Sequence, residues 1–492
     1  MKFINMDIKK FFLLFVIFGN FSFSSQIKIL NSYRTVSKLF FGVNSLYWID
    51  NDRTRNAPEY ISALKAAKVS IIRYPGGEVA DNFDWKNNRL NNPRAYPYSK
   101  EKCSYKKRMN FDEFVEWKDK IGSKAILVVN LEEGFIEGNL KKAAKKAAEW
   151  VKYSNIEKKY NIKYWEIGNE SYHLGTRYPL TAKEYAKALK LFSREMKKVD
   201  PTIKIGAVGP WDYRKVPIVE YLPKRKVEEL RSVKSFKERK RLAKSLKRQY
   251  RNQRVKEWKK SWWEVIAEEA SGSFDFAVIH RYTNRRIDDR DLRKPLRCDR
   301  PVLKLRSFLE KITGKDYPIA LTEYNVGRRS AQGLSSTALN LTLAEMIGDY
   351  LKAGVDIGNY WPLRFKDKRS MFTLNNMQRR SPYYIFKEFS DNMERFLINT
   401  RSDDDMIYTV AGCSGVSELN LFIVNKKSTT ERVELRSEMP AYLKKIYEIK
   451  NNKKLYKPIK MKQKMSKQNS FFHISPLSIT VLKFDYDLCR NN

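Results

Sequence analysis

Histidine and cysteine are scarce in this chain: 492 residues hold three histidines and four cysteines. Cys103, Cys298, Cys413 and Cys489 show no CxxC spacing, and three histidines leave a zinc ion little to bind, so no metal or organic cofactor is implied. Long apolar runs are missing as well. The run Phe11 to Phe18 is about eight residues, far short of the roughly 20 that span a bilayer, and no later stretch is longer. With Lys2, Lys9 and Lys10 before it and Ser22, Ser24 and Ser25 after it, this run is expected to be an export signal over residues 1–25, cleaved near Ser25. A secreted or periplasmic protein without a transmembrane segment follows. Export permits disulfides, and Cys413 with Cys489 is the first pairing expected, because both lie in the C-terminal domain; four unpaired thiols are the alternative. Acidic residues are also in deficit, 56 against 97 Lys+Arg, a net charge of +41. Such a field favours polyanions, unless it reflects only a Lys- and Asn-rich composition. Nucleic acid would require stacking aromatics in a basic groove or a recognition motif, and neither is present.

What is present is a succession of short apolar, β-branched runs with helical stretches between them. Eight strands are expected at about 39–44, 69–73, 124–130, 162–168, 203–208, 274–280, 318–323 and 357–361. Eight is the number that closes a (β/α)8 TIM barrel, an α/β fold. Helices are expected at 57–68, 111–121, 140–160, 181–199 and 335–353, with Thr181 and Glu184 as a capping box. From Tyr383 onward short alternating runs suggest a C-terminal β-sandwich, and residues 26–38 are a candidate to join it. The expected organisation is a signal over 1–25, a barrel over 39–382 and a sandwich over 383–492. One basic insert interrupts the barrel: residues 224–260 carry seventeen Lys or Arg against four acidic residues, which reads as a solvated helical face or as an arm that holds a polyanion. Trp258, Trp262 and Trp263 at its end are either core or a sugar-stacking platform.

Barrel active sites form at the C-terminal ends of the strands. There the chain reads Arg73-Tyr74-Pro75-Gly76-Gly77, Trp165-Glu166-Ile167-Gly168-Asn169-Glu170, His280-Arg281-Tyr282, Thr322-Glu323-Tyr324-Asn325 and Tyr360-Trp361. Glu170 and Glu323, on strands four and seven, face each other across the mouth, as two-carboxylate glycosidase chemistry requires. One must be ionised and the other protonated, so their surroundings must hold the two pKa values apart. Arg73 is placed to keep Glu323 ionised, and Tyr282 can donate a hydrogen bond to it. Asn169 suits a sugar hydroxyl, and Trp361 offers an aromatic floor. Glu166, four residues before Glu170, faces the same side but deeper, which makes it structural. His173 is expected to be a loop residue and His473 a structural one.

The set RYPGG, WEIGNE, HRY and LTEYN, in that order on strands two, four, six and seven, resembles glycoside hydrolase clan A. It looks most like the α-L-arabinofuranosidases of family 51, with the heparanase/β-glucuronidase and β-xylosidase/α-L-iduronidase families as relatives in the clan. The resemblance covers about residues 39 to 370, and the sandwich matches too. It implies Glu170 as acid/base, Glu323 as nucleophile, and Arg73, Asn169, His280 and Tyr282 as supporting residues. Asn130, at the end of strand three, is a weaker carry-over that otherwise caps a turn. The family usually has a tryptophan shortly after the nucleophile, where this chain has Tyr324-Asn325-Val326.

The loops at the mouth are rich in positive charge: Arg281, Arg285 and Arg286, then Arg328 and Arg329, then Arg364, Lys366, Lys368 and Arg369. Guanidinium groups hold carboxylate or sulfate in a fork, so an anionic polysaccharide or oligosaccharide is the expected substrate, unless Asp288, Asp289 and Asp291 neutralise the cluster. The expected activity is hydrolysis of an O-glycosidic bond with retention. The alternatives are the same machinery on a neutral arabinoside or xyloside, and a non-catalytic polysaccharide-binding protein on a hydrolase scaffold.

Overall fold

The computed structural model describes residues 24–91, 108–250, 259–283, 288–450, 453–457, 464–465 and 470–490. Residues 1–23 of the expected export signal, Cys103, Trp258, Arg285 and Arg286 lie outside the described residues.

Eight parallel strands close into a barrel in chain order: Leu39–Asn44, Ile71–Tyr74, Lys124–Val129, Tyr164–Ile167, Lys204–Pro210, Phe276–Thr283, Ile319–Val326 and Ile357–Tyr360. They are called barrel strands one to eight below. Most of their residues are buried, which is why parallel strands covered on both faces read as apolar runs rather than as alternation. The helices close around them with caps written in the sequence. Asn110 and Glu113 form a capping box at the head of Phe111–Ile121, and Thr181 and Glu184 do the same for Ala182–Val199. Helix Leu140–Val151 turns Ala143, Ala144, Ala147 and Ala148 inward and continues as a π-helical turn over Lys152–Glu157. Trp262 and Trp263, without exposed surface, donate their indole N–H groups to the carbonyls of Val208 and Pro210, so they are core and not a stacking platform.

The second layer is a ten-stranded sheet. The N-terminal strand Ser25–Thr35 lies inside it, antiparallel to Phe396–Ser402 and parallel to Glu431–Ser437. Its apolar face, including Ile27, Ile29, Leu421, Leu435 and Phe484, forms a core of its own that contains the Cys413–Cys489 disulfide. Cys298 is a buried free thiol. The change of pattern expected at Tyr383 falls inside a helix, Ser381–Asn392, which follows barrel strand eight; the sheet resumes only at Phe396. Pro382 in the first turn of that helix is a start signal, not a break.

The basic insert folds as helices Lys224–Ser232 and Phe236–Tyr250 around a small core of Leu230, Ala243, Leu246 and Leu174. Arg231 ties it to the barrel by donating to Glu184 Oε2 at 2.7 Å and to the carbonyl of Pro179. Among the described residues no helix is long and apolar enough to cross a membrane.

Candidate active site

Arg73 rises from barrel strand two with no exposed surface. Its Nε and Nη2 donate to the two oxygens of Glu166, each at 2.8 Å. Nη1 donates to Glu323 Oε1 at 2.9 Å and to Asn44 Oδ1 at 3.2 Å, and Nη2 also donates to Asn169 Oδ1 at 2.8 Å. All five N–H groups of the guanidinium are thereby used. A permanent cation so placed binds both buried carboxylates, Glu166 and Glu323. Burial alone would push the Glu166 carboxyl up, but Arg73 and His280 hold it below its usual range.

Two local departures from regular structure aim the catalytic carboxylates. After strand four the chain turns through Gly168, at φ +75°, where an added Cβ would come within 3.1 Å of the Leu131 side chain. The turn delivers Asn169, whose N–H donates to Asp81, and then Glu170. On strand seven the register slips by one residue between Leu321 and Glu323 against strand six. This bulge lets two consecutive side chains, Thr322 and Glu323, both work inside the barrel. Thr322 Oγ1 lies 3.0 Å from His280 Nε2, and Tyr282 donates to Glu323 Oε2 at 2.6 Å.

Strand six supplies His280 and Tyr282 on one face by simple alternation. His280 Nδ1 lies 3.0 Å from Glu170 Oε1 and 3.8 Å from Glu323 Oε1. Burial would depress its pKa, but Glu323, Glu166 and Glu170 around it outweigh burial and raise it to about 9. At neutral pH the ring is therefore an imidazolium, one N–H on Glu170 and the other on Thr322. His173 Nδ1, on the loop after strand four, lies 3.1 Å from Glu170 Oε2. Burial raises the Glu170 carboxyl, while His173 and His280 together hold it well below the carboxylate range. The proton of this end of the site rests on the imidazole side of the Glu170–His280 pair.

A cavity of about 320 Å³ opens above these groups, walled by Trp48, Asn169, Trp361, Phe236, Lys240 and Arg328 among others. The Trp361 ring lies over the strand-two loop, where a Cβ on Gly77 would meet it at 2.7 Å. Its partner wall, Trp48, is 6.1 Å away between ring centroids. The basic insert reaches the cavity through Phe236 and Lys240, and Lys240 donates to Glu78 Oε1 at 2.6 Å.

The structure thus brings together Glu170, Glu323, Arg73, Asn169, His280, Tyr282 and Trp361. It does not bring Asn130 to the cavity. That side chain accepts from the N–H of Glu133 and donates to the carbonyl of Phe83, so it caps the short helix Glu132–Ile136. His173 lies in a loop, as expected, and also touches Glu170; its position three residues after that glutamate is the available signal for the contact. Asn44 ends strand one, where the strand-end rule points, and its amide donates to the carbonyl of Thr322 at 2.9 Å. Phe236 and Lys240 had no signal, because an inserted helix carries no mark of where it docks.

Three residues of the expected basic rim are structural. Arg364 is buried and donates to the carbonyls of Ile49 and Leu374, with Asp50 at 3.2 Å. Arg369 is spent on Asp367 and the carbonyl of Val326, and Lys368 donates to the carbonyl of Leu334. Arg328 remains as an exposed cation on the cavity wall.

Among the described residues, Glu170, His280 and Glu323 are the group whose atoms could share an ion, all within 4.8 Å of one another. They suit proton transfer better than a metal. The ring is protonated at neutral pH, and Glu323 already accepts from Arg73 on one oxygen and from Tyr282 on the other.

Comparison with known proteins agrees with this geometry. Residues 63–254 match the family model described as "Alpha-L-arabinofuranosidase 1 domain". The chain is similar to the α-L-arabinofuranosidases of family 51. Alpha-L-arabinofuranosidase C of Emericella nidulans is 28% identical over 179 residues, covering 32% of this chain and 34% of that protein. An intracellular exo-alpha-(1->5)-L-arabinofuranosidase 1 of Bacillus subtilis is 29% identical over 166 residues, 30% of this chain and 31% of that protein. The match thus spans about a third of the length of these relatives. Over the whole fold the likeness is broader. The arabinofuranosidase of Thermotoga maritima superposes with a TM-score of 0.64 at 17% identity, covering 94% of this chain and 99% of that one. The family 51 enzyme of Xanthomonas axonopodis pv. citri gives 0.66 at 15% identity, over 94% and 99%.

Proposed function

We propose that this protein is a retaining glycoside hydrolase that acts as an α-L-arabinofuranosidase on neutral plant-type glycans. One observation carries the reading: an oxygen of Glu170 and an oxygen of Glu323 lie within 4.8 Å across the same mouth. Retaining enzymes hold their carboxyl groups about 5–5.5 Å apart, whereas inverting enzymes leave roughly 6.5–9.5 Å for a water. Glu323, ionised by Arg73 and oriented by Tyr282, attacks the anomeric carbon. The imidazolium of His280 returns its proton to Glu170 as the glycosidic oxygen gains negative charge, and Glu170 passes it to the departing oxygen. In the second half Glu170 takes a proton from the water that attacks the anomeric carbon and displaces Glu323, and hands that proton back to His280, which restores the starting state. Asn169, fixed by Arg73 and beside Glu170, is positioned for a hydroxyl next to the anomeric centre, and Trp48 and Trp361 wall the ring.

The relatives support the arabinosyl class. A second reading, an acidic substituent on the glycan, is favoured by the exposed Arg328 and by Lys240 in the cavity wall. One oligosaccharide panel, neutral arabinosides and xylosides beside uronate-bearing and sulfated chains, read by mass, decides between them. Release of arabinose from neutral chains is expected, with loss of turnover but not of fold in Glu170→Gln and Glu323→Gln. Full activity in either variant, or cleavage confined to acidic chains, overturns the reading. Export belongs to the same proposal. The Lys-led apolar run before Ser25 supports it, as does the Cys413–Cys489 disulfide, a bond kept in oxidising compartments. N-terminal sequencing of the mature protein should begin near Ser25; recovery of intact Met1 from the cytoplasm counts against it.

A further inference from the structure

A second cavity, of about 250 Å³, lies at the same end of the barrel but on the outside of its wall. Strand alternation sends His280 and Tyr282 inward and Arg281, between them, outward. Arg281 stacks on Trp211, the first residue after strand five, with the guanidinium carbon 3.7 Å from the ring centroid. Helix Asp299–Thr313 adds Arg300 and Lys304, one turn apart and both exposed, and Arg214 and Arg297 complete the lining. Five cations therefore face one another with Asp212 as the acid in the lining. The available pairings are weak. Asp212 lies 3.8 Å from Arg214, and Arg297 reaches the exposed Asp405 at 3.8 Å. Among the described residues no carboxylate pairs with Arg281, Arg300 or Lys304, and Arg281 Nε is buried without a hydrogen-bond partner. Arg73, inside the barrel, shows the contrast: there every donor is used.

Like charges crowded into a partly enclosed space repel one another, and a buried guanidinium N–H without an acceptor costs free energy. The repulsion is relieved when an oxyanion occupies the cavity, because a guanidinium meets carboxylate, sulfate or phosphate oxygens with two parallel hydrogen bonds. Trp211 holds the Arg281 fork in place by cation–π contact, so little side-chain freedom is lost on binding. We propose that this cavity is an oxyanion-binding site, separate from the catalytic cavity and independent of the reaction assigned to it. The anion has two possible sources, a free inorganic ion or the acidic group of a sugar chain.

The test titrates the full-length protein calorimetrically at fixed ionic strength with inorganic sulfate, inorganic phosphate, a uronate-bearing xylo-oligosaccharide and a neutral arabino-oligosaccharide. Arg300→Ala/Lys304→Ala is compared with Lys141→Ala/Lys145→Ala, which removes the same charge at the same spacing from the exposed side of helix Leu140–Val151. Anion affinity is expected to fall at least tenfold in the first variant and less than twofold in the second, with thermal midpoints unchanged in both. Tighter binding of the uronate chain than of sulfate assigns the site to glycans, and equal binding assigns it to free anions. Undiminished anion binding in Arg300→Ala/Lys304→Ala, an equal loss in the distant variant, or no anion binding by the unmodified protein overturns the proposal.

Discussion

The two sides of the barrel mouth hold their carboxylates in opposite ways. On the strand-seven side, Glu323 accepts from Arg73 and Tyr282, donors that keep their protons across the working pH range. On the strand-four side, Glu170 sits between His173 and His280, donors that can give a proton up. A carboxylate bound by fixed donors stays a nucleophile, and one bound by titratable donors can borrow and return a proton. Two glutamates of one chemistry are separated by what surrounds them.

The largest effect expected from breaking this contrast is at Arg73. Replacing it with Met leaves Glu166 and Glu323 buried without their cation, a change of about 3–5 kcal/mol in stability by denaturant unfolding. A loss under 1 kcal/mol would show that the guanidinium does not hold the two carboxylates. Next is the comparison of His280→Gln with Tyr282→Phe. Each should lower kcat/KM by roughly 10- to 1,000-fold, but only the histidine variant should lose the alkaline limb of the pH profile near pH 9. An unchanged limb in His280→Gln removes the proton store from the mechanism. The same group bears on stability. Its folded pKa is raised, so its stabilising contribution is complete below about 6.5 and is lost as pH rises through about 9.

Asp349 sharpens the comparison with the smallest effect. Among the described residues no cation lies within ion-pair distance of it, and Lys352 acts on it only from farther off. Burial first, then Glu345 and Asp299, push its carboxyl up to about 7. Its folded form favours the proton, so the penalty is absent below its ordinary value of 3.8 and complete above about 7. Asp349→Asn should therefore gain on the order of 1 kcal/mol at pH 8 and nothing at pH 4, read by thermal unfolding at both values.

The barrel was readable because strands covered on both faces must be apolar, and each of the eight runs expected from sequence overlaps its strand. The strand ends were harder. Strands six and seven run on to Thr283 and Val326, because polar residues that line a site are buried by the site itself and not by apolar packing. Glu170, Glu323, Arg73 and Tyr282 could be placed by the strand-end rule. Two of the rim arginines are not free for substrate, because sequence counts charges without their partners: Arg364 and Arg369 hold backbone carbonyls in the loops they seemed to electrify. The boundary expected at Tyr383 cuts helix Ser381–Asn392, because the alternating runs that marked the second domain begin only after it, and Tyr383, Phe386 and Phe389 keep helical spacing. His173, Phe236 and Lys240 depend on how loops and an insert dock, which local pattern does not encode.

The strand Ser25–Thr35 has a consequence for how the molecule is made. It is synthesised first, yet Ser25 meets Asp404, 379 residues later, and its other neighbour is later still. The barrel is completed in between, so it is in effect an insertion within the sheet layer, and the sheet must wait for the last fifth of the chain with one inner strand already made. Expression of the C-terminal segment alone would yield a sheet with a slot between Phe396–Ser402 and Glu431–Ser437, and a short peptide of residues 24–37 supplied in trans is the piece that fits it.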